Sequence, residues 1–392
     1  MIQYDYFKMN LRFFILLFLF ITACEKDSID SDTSGDDLQA VLEQAVADEN
    51  IPGVILGVKT PSDQWLLAAG TADIASSTLM DADMHIWLAS VSKPLTSVLT
   101  MKLVEEEMLS LDDTVEKWLP GLIPQGDQMT IKMLLNHSAG IPNITECISF
   151  WEELYANPSR EWTNEEILER ILPDTPVFSP GTTYGYSNTG YYLLGMIMEA
   201  VTGETVAELF QQKITEPAQL LRTNLSRQGA LEEPRANGYT WLFTTEEVVD
   251  IANWNFSWDW TAGAGVSTAG DMLQFANQLF NGAILQNETV NTMTSIESFA
   301  PGSAMGLGIG VLPADAAGNI FETKLLGHGG ANPGVATEWY HFPDYGTSFF
   351  VAVNRNDIPA GPEGSIPVHG PSISFDILNQ AWEIIKPGIL GF

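Results

Sequence analysis

Ala89-Ser90-Val91-Ser92-Lys93-Pro94-Leu95-Thr96 is the stretch around which the chain can be organised. Ser90 and Lys93 stand three residues apart, on one face of a helix. A serine hydroxyl is a weak nucleophile at neutral pH and needs a base within hydrogen-bond reach. A lysine buried beside other donors can lose its charge and serve as that base, whereas an exposed lysine cannot. The same spacing also fits a solvated helix start with Ser90 as its N-cap, so the neighbouring sequence has to decide. It continues through Val91, Leu95, Val98, Leu99 and Leu103 to Glu105 with a mostly apolar face, and Pro94 falls in the first turn, where proline is tolerated. A helix that apolar is central and buried. Its free N–H groups and its dipole would favour negative charge developing beside Ser90.

Outward from this helix the chain reads as α/β. Leu38, Val41, Leu42, Ala45 and Val46 form an apolar stripe between Asp37 and Asn50, as on a helix packed by one face. Val54 to Lys59 and Trp65 to Ala69 flank the turn-rich Thr60-Pro61-Ser62-Asp63 as a hairpin. From about 106 to 265, helix and loop signals outweigh strand alternation, with breakers at Pro120, Pro124, Gly140, Pro142, Pro180 and Gly181. This is an inserted, mainly helical subdomain, with one short helix over Ile131 to Leu135 and another ending at Gly203. Met272, Phe275, Ala276 and Leu279 mark a third helix between Thr268 and Gly282. Strands return at Leu325 to His328, Val335 to Phe342 and Ser348 to Asn354, and a last helix from Ile373 to Ile385 presents Ile377, Leu378, Ala381, Trp382 and Ile385 on one side. The expected fold is an antiparallel sheet flanked by the N- and C-terminal helices and interrupted by the helical insert.

The chain has 392 residues, 45% of them hydrophobic, enough for one large core or two adjoining subdomains. Its formal charge of −33, from 50 acidic and 17 basic side chains, would repel a phosphate backbone and excludes nucleic acid as a partner. At the amino terminus, Lys8 and Arg12 precede the apolar run Phe13 to Ile21, too short for a permanent membrane span and patterned as a secretory signal. Ile21-Thr22-Ala23-Cys24 resembles the lipobox of bacterial lipoproteins. Residues 1–23 are therefore expected to be a signal peptide, Cys24 a lipidated amino terminus, 24–36 an acidic tether and 37–385 the folded domain. That reading places the protein at the bacterial cell envelope, held to the membrane through the lipid anchor only. Cys147 alone then remains, which excludes an intramolecular disulfide. The five dispersed histidines show no metal-ligand spacing, and neither metal nor cofactor is expected.

Two more stretches carry chemistry. Tyr184-Gly185-Tyr186-Ser187-Asn188-Thr189-Gly190 places a Tyr-x-Asn step just before a helix; alone it also fits a buried tyrosine followed by a capping residue. Gly327-His328-Gly329-Gly330-Ala331-Asn332-Pro333-Gly334 is a strand edge against whose bare backbone a ligand can lie, or simply a glycine-rich turn. Trp241, Phe243, Trp254, Phe256, Trp258 and Trp260 fit equally a groove lip for a bulky apolar group and core packing.

Taken in this order, Ser90-x-x-Lys93, Tyr186-x-Asn188 and the His328-Gly329-Gly330 edge resemble the serine penicillin-recognising family: penicillin-binding D,D-carboxypeptidases, class C β-lactamases and related esterases and D-amino-acid peptidases. Leu134-Leu135-Asn136-His137-Ser138-Ala139-Gly140, Gly265 to Asp271 and Gly306-Leu307-Gly308 extend the likeness, which runs from about 37 to 385. The resemblance implies a β-lactamase/transpeptidase-like fold and a serine hydrolase or acyltransferase working on a small-molecule ester or amide. It implies that Ser90 forms an acyl-enzyme, that Lys93 and Tyr186 share the proton transfers, and that Asn188 orients the substrate. His328 would donate to Tyr186 or to the substrate, and the N–H groups of Ser90 and of a residue near Thr337 would form the oxyanion hole. His137 reads as a structural loop residue. The family's carboxylate-gripping members carry hydroxyls where this chain has Gly329 and Ala331. Their absence argues for ester-like substrates over D-Ala-D-Ala peptides and β-lactams, since each lost charge-assisted bond is worth ~1.5–3 kcal/mol. The alternatives are a D,D-carboxypeptidase, D-amino peptidase or β-lactamase and, in another class, an inactive binding module.

Overall fold

The computed structural model describes residues 31–49, 51–171, 176–241, 248–296, 305–316, 319–357 and 373–390. The expected signal peptide and Cys24 lie outside them. Helix α1 (Ser31–Asp48) begins six residues before the expected Asp37, inside the stretch expected to be a tether. Local contacts account for the extension, because Ser34 is buried and Gly35 packs on the indole of Trp65.

Seven antiparallel strands form the main sheet: β1 (Gly53–Lys59), β2 (Gln64–Asp73), β3 (Thr78–Leu79), β4 (Gly310–Leu312), β5 (Leu325–Asn332), β6 (Val335–Phe342) and β7 (Thr347–Val353), in the order β3-β2-β1-β7-β6-β5-β4. The chain's two ends meet at its centre, where Val54 pairs with Val353 and Val58 with Phe349. Both faces are buried, so alternation sorts residues between two cores rather than between core and water. Val54, Leu56, Val58, Phe349 and Val351 join Leu38, Leu42 and Trp382 beneath α1 and the last helix, α5 (Ile373–Leu390). Ile55, Phe350 and Ala352 face the other way, into the larger core. There helix α4 (Ala269–Phe280) covers β1 and β7. Helix α5 runs past the expected Ile385 and through Pro387, with Ile389 still packed on the first core. The edge strands β3 and β4, of two and three residues, are too short to show a period in the sequence.

Helix α2 (Ser92–Glu105) lies in the larger core with most of its side chains buried, including the polar Ser92, Lys93, Thr96, Ser97 and Thr100. It packs against α3 (Asn188–Thr202) and the short helix Trp260–Gly263. The hydroxyls are satisfied locally: Thr96 Oγ1 donates to Thr261 O at 2.6 Å and Ser92 Oγ accepts from Gly265 N at 2.9 Å. A two-residue ladder, Ile86–Trp87 with Val266–Ser267, closes the neck of the segment in between. Among its described residues that segment is helix and loop apart from the two short paired strands Tyr239–Trp241 and Val248–Asp250. Four of the six clustered aromatic residues resolve as core packing. Phe256, Trp258 and Trp260 are almost wholly buried and Trp254 nearly so, with Trp258 against Phe150 and Trp151, and Phe256 against Trp87. Phe243 lies outside the described residues.

The sheet meets the turn before α2 most closely at Gly330. Gly330 on β5 lies so close to the turn before α2 that a Cβ there would sit 2.4 Å from Thr337 Oγ1, 2.5 Å from Leu88 O and 3.0 Å from Ser90 N. Two of those atoms are backbone and cannot swing away. Gly330→Ala should therefore cost about 1–3 kcal/mol, the usual range for overpacking, read as a lower urea midpoint at unchanged m-value.

Candidate active site

Ser90 does not cap α2. It sits in a 3-10 turn, Ala89–Val91, that feeds the helix, and Ala89 takes a left-handed φ of +48°, a strained conformation for a residue with a side chain. The turn is tied down on both sides: Leu88 N donates to Gly265 O at 2.9 Å, and Leu88 O accepts from Thr337 Oγ1 at 2.7 Å. Lys93, one turn on and fully buried, brings its Nζ to 3.1 Å from Ser90 Oγ, 2.6 Å from Asn188 Oδ1 and 2.9 Å from Ala262 O. Burial pulls its pKa down to about 7, against the opposing pull of the Asp259 carboxylate.

The donor inventory fixes the direction of the proton path. Two of the three groups around Nζ, a carbonyl and an amide oxygen, can only accept. A neutral amine has two N–H donors and one lone pair, so its hydrogens go to Asn188 and Ala262 and the lone pair falls toward Ser90. Tyr186 OH donates to Ser90 Oγ at 2.9 Å. Burial holds its pKa well above that of free tyrosine, opposed by the Ser90 hydrogen bond, so it stays a phenol. The three groups thus form a directed chain from the Tyr186 hydroxyl through the Ser90 hydroxyl to the Lys93 amine.

Four expected roles change in the structure. Asn188 spends Oδ1 on Lys93 and donates through Nδ2 to Thr145 Oγ1 at 3.2 Å, which leaves one amide hydrogen for a substrate. It holds the lysine first. His328 does face the site, its ring 6.4 Å from that of Tyr186. However, its Nδ1 is 2.5 Å from Gly329 O, and a carbonyl can only accept. The proton is therefore on Nδ1, and Nε2, which has no partner among the described residues, is a bare acceptor. Burial, with the Lys93 charge adding to it, pulls the His328 pKa to about 4. The expected donor is a neutral acceptor.

Thr337 is the third correction. The register runs Asn332↔Val335, Ala331↔Ala336, Gly330↔Thr337 about the two-residue turn Pro333–Gly334. Hydrogen-bonded and open pairs alternate from that turn, so the Thr337 N–H is spent on Gly330 while the Ala331 N–H points out of the far edge of β5. Among the described residues no strand pairs with that edge there, because β4 pairs only with Leu325 to Gly327. With Gly330 against Ser90 N, the register leaves the Ala331 N–H, rather than that of Thr337, available as a second donor beside Ser90. Gly329 is the fourth: a Cβ there would meet the Glu338 carboxylate at 2.7 Å, on the face of the sheet away from Thr337, so its place is dictated by packing. Asn143 Oδ1, which accepts from Asn188 N at 3.1 Å, together with Thr145, Ala262 and Asp259, was invisible in the sequence. Each reaches the site from a loop or turn far along the chain from Lys93, with no spacing to announce it.

Asp259 is buried, and burial raises its pKa against the pull of Lys93. Asn332 Nδ2 donates to its Oδ2 at 2.7 Å. Among the described residues no group of three or more His, Cys, Asp or Glu gathers as a metal site would require.

A family model described as Beta-lactamase matches residues 38–365. Penicillin-binding protein 4* of Bacillus subtilis (strain 168) is 24% identical over 82% of this chain and 72% of its own length. Esterase EstB of Burkholderia gladioli is 28% identical over 48% of this chain, and the match spans about half, 51%, of that esterase. Among solved structures, D-amino acid amidase from Ochrobactrum anthropi SV3 complexed with D-phenylalanine superposes with a TM-score of 0.76 at 26% identity, covering 90% of this chain and 99% of that one. With its fold, its Ser90–Lys93–Tyr186 cluster and a family match over most of its length, the chain belongs to the β-lactamase family of serine hydrolases.

Proposed function

We propose that this protein is an acyl-enzyme hydrolase or acyltransferase for neutral esters and amides, with Ser90 as nucleophile, Lys93 as general base and Tyr186 as proton relay. The observation that carries the reading is Ser90 Oγ held between a buried amine at 3.1 Å and a phenol at 2.9 Å. As Oγ bonds to the substrate carbonyl carbon, its proton passes to the Lys93 lone pair and the carbonyl oxygen becomes an oxyanion facing the N–H groups of Ser90 and Ala331, an interaction that is commonly the largest single catalytic contribution. Collapse breaks the bond to the leaving alcohol or amine. That group takes the Tyr186 hydroxyl proton, and the tyrosinate is reprotonated by the Lys93 ammonium, whose nitrogen lies 4.9 Å from the centre of the tyrosine ring; the acylated Ser90 Oγ takes no part in this transfer. A water or a second alcohol then runs the sequence in reverse to release the acyl group.

Support for neutral substrates comes from charge. A carboxylate needs donors or a cation, and the edge offers Gly329, Ala331 and a neutral His328 with a bare Nε2. Burial of Trp254, Phe256, Trp258 and Trp260 takes the support of these four from a bulky apolar group, so the preference proposed is for absence of charge rather than for size. The likeness to an esterase and to a D-amino acid amidase supports both bond types, and an inactive binding module would have no use for the complete proton chain. We propose further, from the sequence, that residues 1–23 are a lipoprotein signal and that Cys24 anchors the domain to the cell envelope.

Three outcomes follow. Because only neutral Lys93 can take the proton, kcat/KM should rise with pH up to about 7 and level off above it. Lys93→Arg should be nearly as damaging as Lys93→Ala, on the order of 10²–10⁴; a flat profile, or an Arg variant acylating like wild type, would refute the base. On one preparation, p-nitrophenyl butyrate and N-acetyl-D-phenylalanine amide should exceed nitrocefin and a D-Ala-D-Ala peptide by at least about tenfold in kcat/KM, which is ~1.4 kcal/mol. A fluorophosphonate should also label Ser90; preference for the carboxylates, or no label on folded protein, defeats the proposal. Finally, Cys24→Ala should move the protein from the detergent-extracted to the soluble fraction of its host, and unchanged partition would exclude the anchor.

A further inference from the structure

We infer that His137 is the positioning residue for Tyr186, a clamp that holds the tyrosine's backbone on both sides and one face of its ring. The inference rests on the reading of Tyr186 as a proton relay. His137 is buried in the loop after Ile131–Leu135, about fifty residues before Tyr186, and takes a left-handed φ of +61°. That conformation turns both its carbonyl and its ring toward one short segment. Its O accepts from Gly185 N at 2.9 Å, and its Nδ1 accepts from Ser187 N at 3.2 Å, so the residues before and after Tyr186 are tied to the same residue. Its ring lies 4.4 Å from the Tyr186 ring at an interplanar angle of 33°. Tyr186 is left with little freedom except at its hydroxyl, the atom that reaches Ser90 at 2.9 Å.

The chemistry of the ring explains why a histidine stands there. A backbone N–H can only donate, so Nδ1 must be bare and the proton must be on Nε2. Charging the ring would set an Nδ1 proton against the Ser187 N–H and break one of the two ties. The titratable and charged groups that bear on it are Tyr184 and Tyr191, with ring centroids at 5.9 and 5.2 Å, Tyr186 itself, Lys93 and His328. None is an anion that would favour an imidazolium. Burial, then the Lys93 charge, holds the His137 pKa well below that of free histidine. The clamp therefore stays closed across the range in which Lys93 titrates. Asparagine is the conservative replacement, because its Oδ1 can accept from Ser187 N and it tolerates positive φ, but it has no ring to lay on Tyr186.

A double-mutant cycle separates positioning from general damage. The acylation burst with p-nitrophenyl acetate is measured for wild type, Tyr186→Phe, His137→Asn and the double variant. His137→Asn should slow acylation about ten- to a hundredfold, the cost of a misplaced catalytic group. In the Tyr186→Phe background it should change the rate by less than about twofold, since no hydroxyl remains to be positioned. An equal loss in both backgrounds, or no loss in the first, overturns the clamp. If Tyr186→Phe itself acylates like wild type, the relay reading falls and takes the clamp with it, so the two failures are distinguishable. A measurement on the unaltered protein stands beside these variants in case they fold poorly: ¹⁵N NMR of the histidine rings should show His137 as the Nε2–H tautomer, unchanged from about pH 6 to 9. A His137 that titrates there overturns the inference.

Discussion

A lysine amine with no surface in contact with water is the constraint on which the rest of the site depends. Removing an ammonium from water costs far more than most single contacts return, so Lys93 must either find full compensation or give up its proton. The fold offers three neighbours at hydrogen-bond distance and an acid, Asp259, near enough to act on the charge. That is sufficient compensation for the charged form to exist and too little to make it dominant, which places the amine where it can both take and return a proton near neutrality. Each neighbour comes from a different element: Ser90 from the 3-10 turn, Asn188 from the first turn of α3, Ala262 from the short helix after Asp259. The burial of α2 is thus a catalytic arrangement as much as a packing one.

The same arrangement explains why the sheet must press on the turn. Ser90 comes from the first quarter of the chain and β5 from the last, and Gly330 lets them approach until only backbone separates them. Thr337 holds Leu88 O from one strand further in. The strained Ala89 is retained because both sides of the turn are fastened, and local strain held by surrounding structure is a common feature of sites that present a nucleophile.

Much of this was legible in the sequence where chemistry repeats at short range. Ser90 and Lys93 share a helical face, Tyr186 and Asn188 share a loop-to-helix step, and the stripes of α1, α2 and α5 follow a helical period, so helices, sheet strands and the three central residues could be read before any coordinate. What stayed hidden depends on separation or on direction. Thr145 reaches Asn188, and Ala262 and Asp259 reach Lys93, only after the insert folds, and no spacing records it. Ala331 rather than Thr337 offers its N–H because hydrogen-bond direction alternates along a hairpin, a matter of register that composition does not carry. The aromatic residues from Trp254 to Trp260 look alike in a core and in a groove, and only burial separates the two.

His137 and His328 show how direction, beyond identity, determines what a residue does. Both are buried beside Tyr186 and both are held neutral, yet the partner of Nδ1 differs: a backbone N–H for His137, a backbone carbonyl for His328. A donor partner fixes the lone pair at Nδ1 in the first case, and an acceptor partner fixes the proton there in the second. The other ring nitrogen, Nε2, buried and without a hydrogen-bond partner among the described residues in both, is therefore an N–H on His137 and a lone pair on His328. Neither ring adds charge, so beyond the N-terminal dipole of α2, Lys93 and Asp259 set the electrostatics around Ser90. A substrate carboxylate entering this site would find backbone dipoles and a half-neutral lysine already committed to three partners, whereas a neutral ester or amide asks only for the two N–H groups that its oxyanion will use. The proposed preference for uncharged substrates rests on how the donors are directed, and would hold even if a hydroxyl were restored at Gly329, because a side chain there projects toward Glu338 on the far face of the sheet.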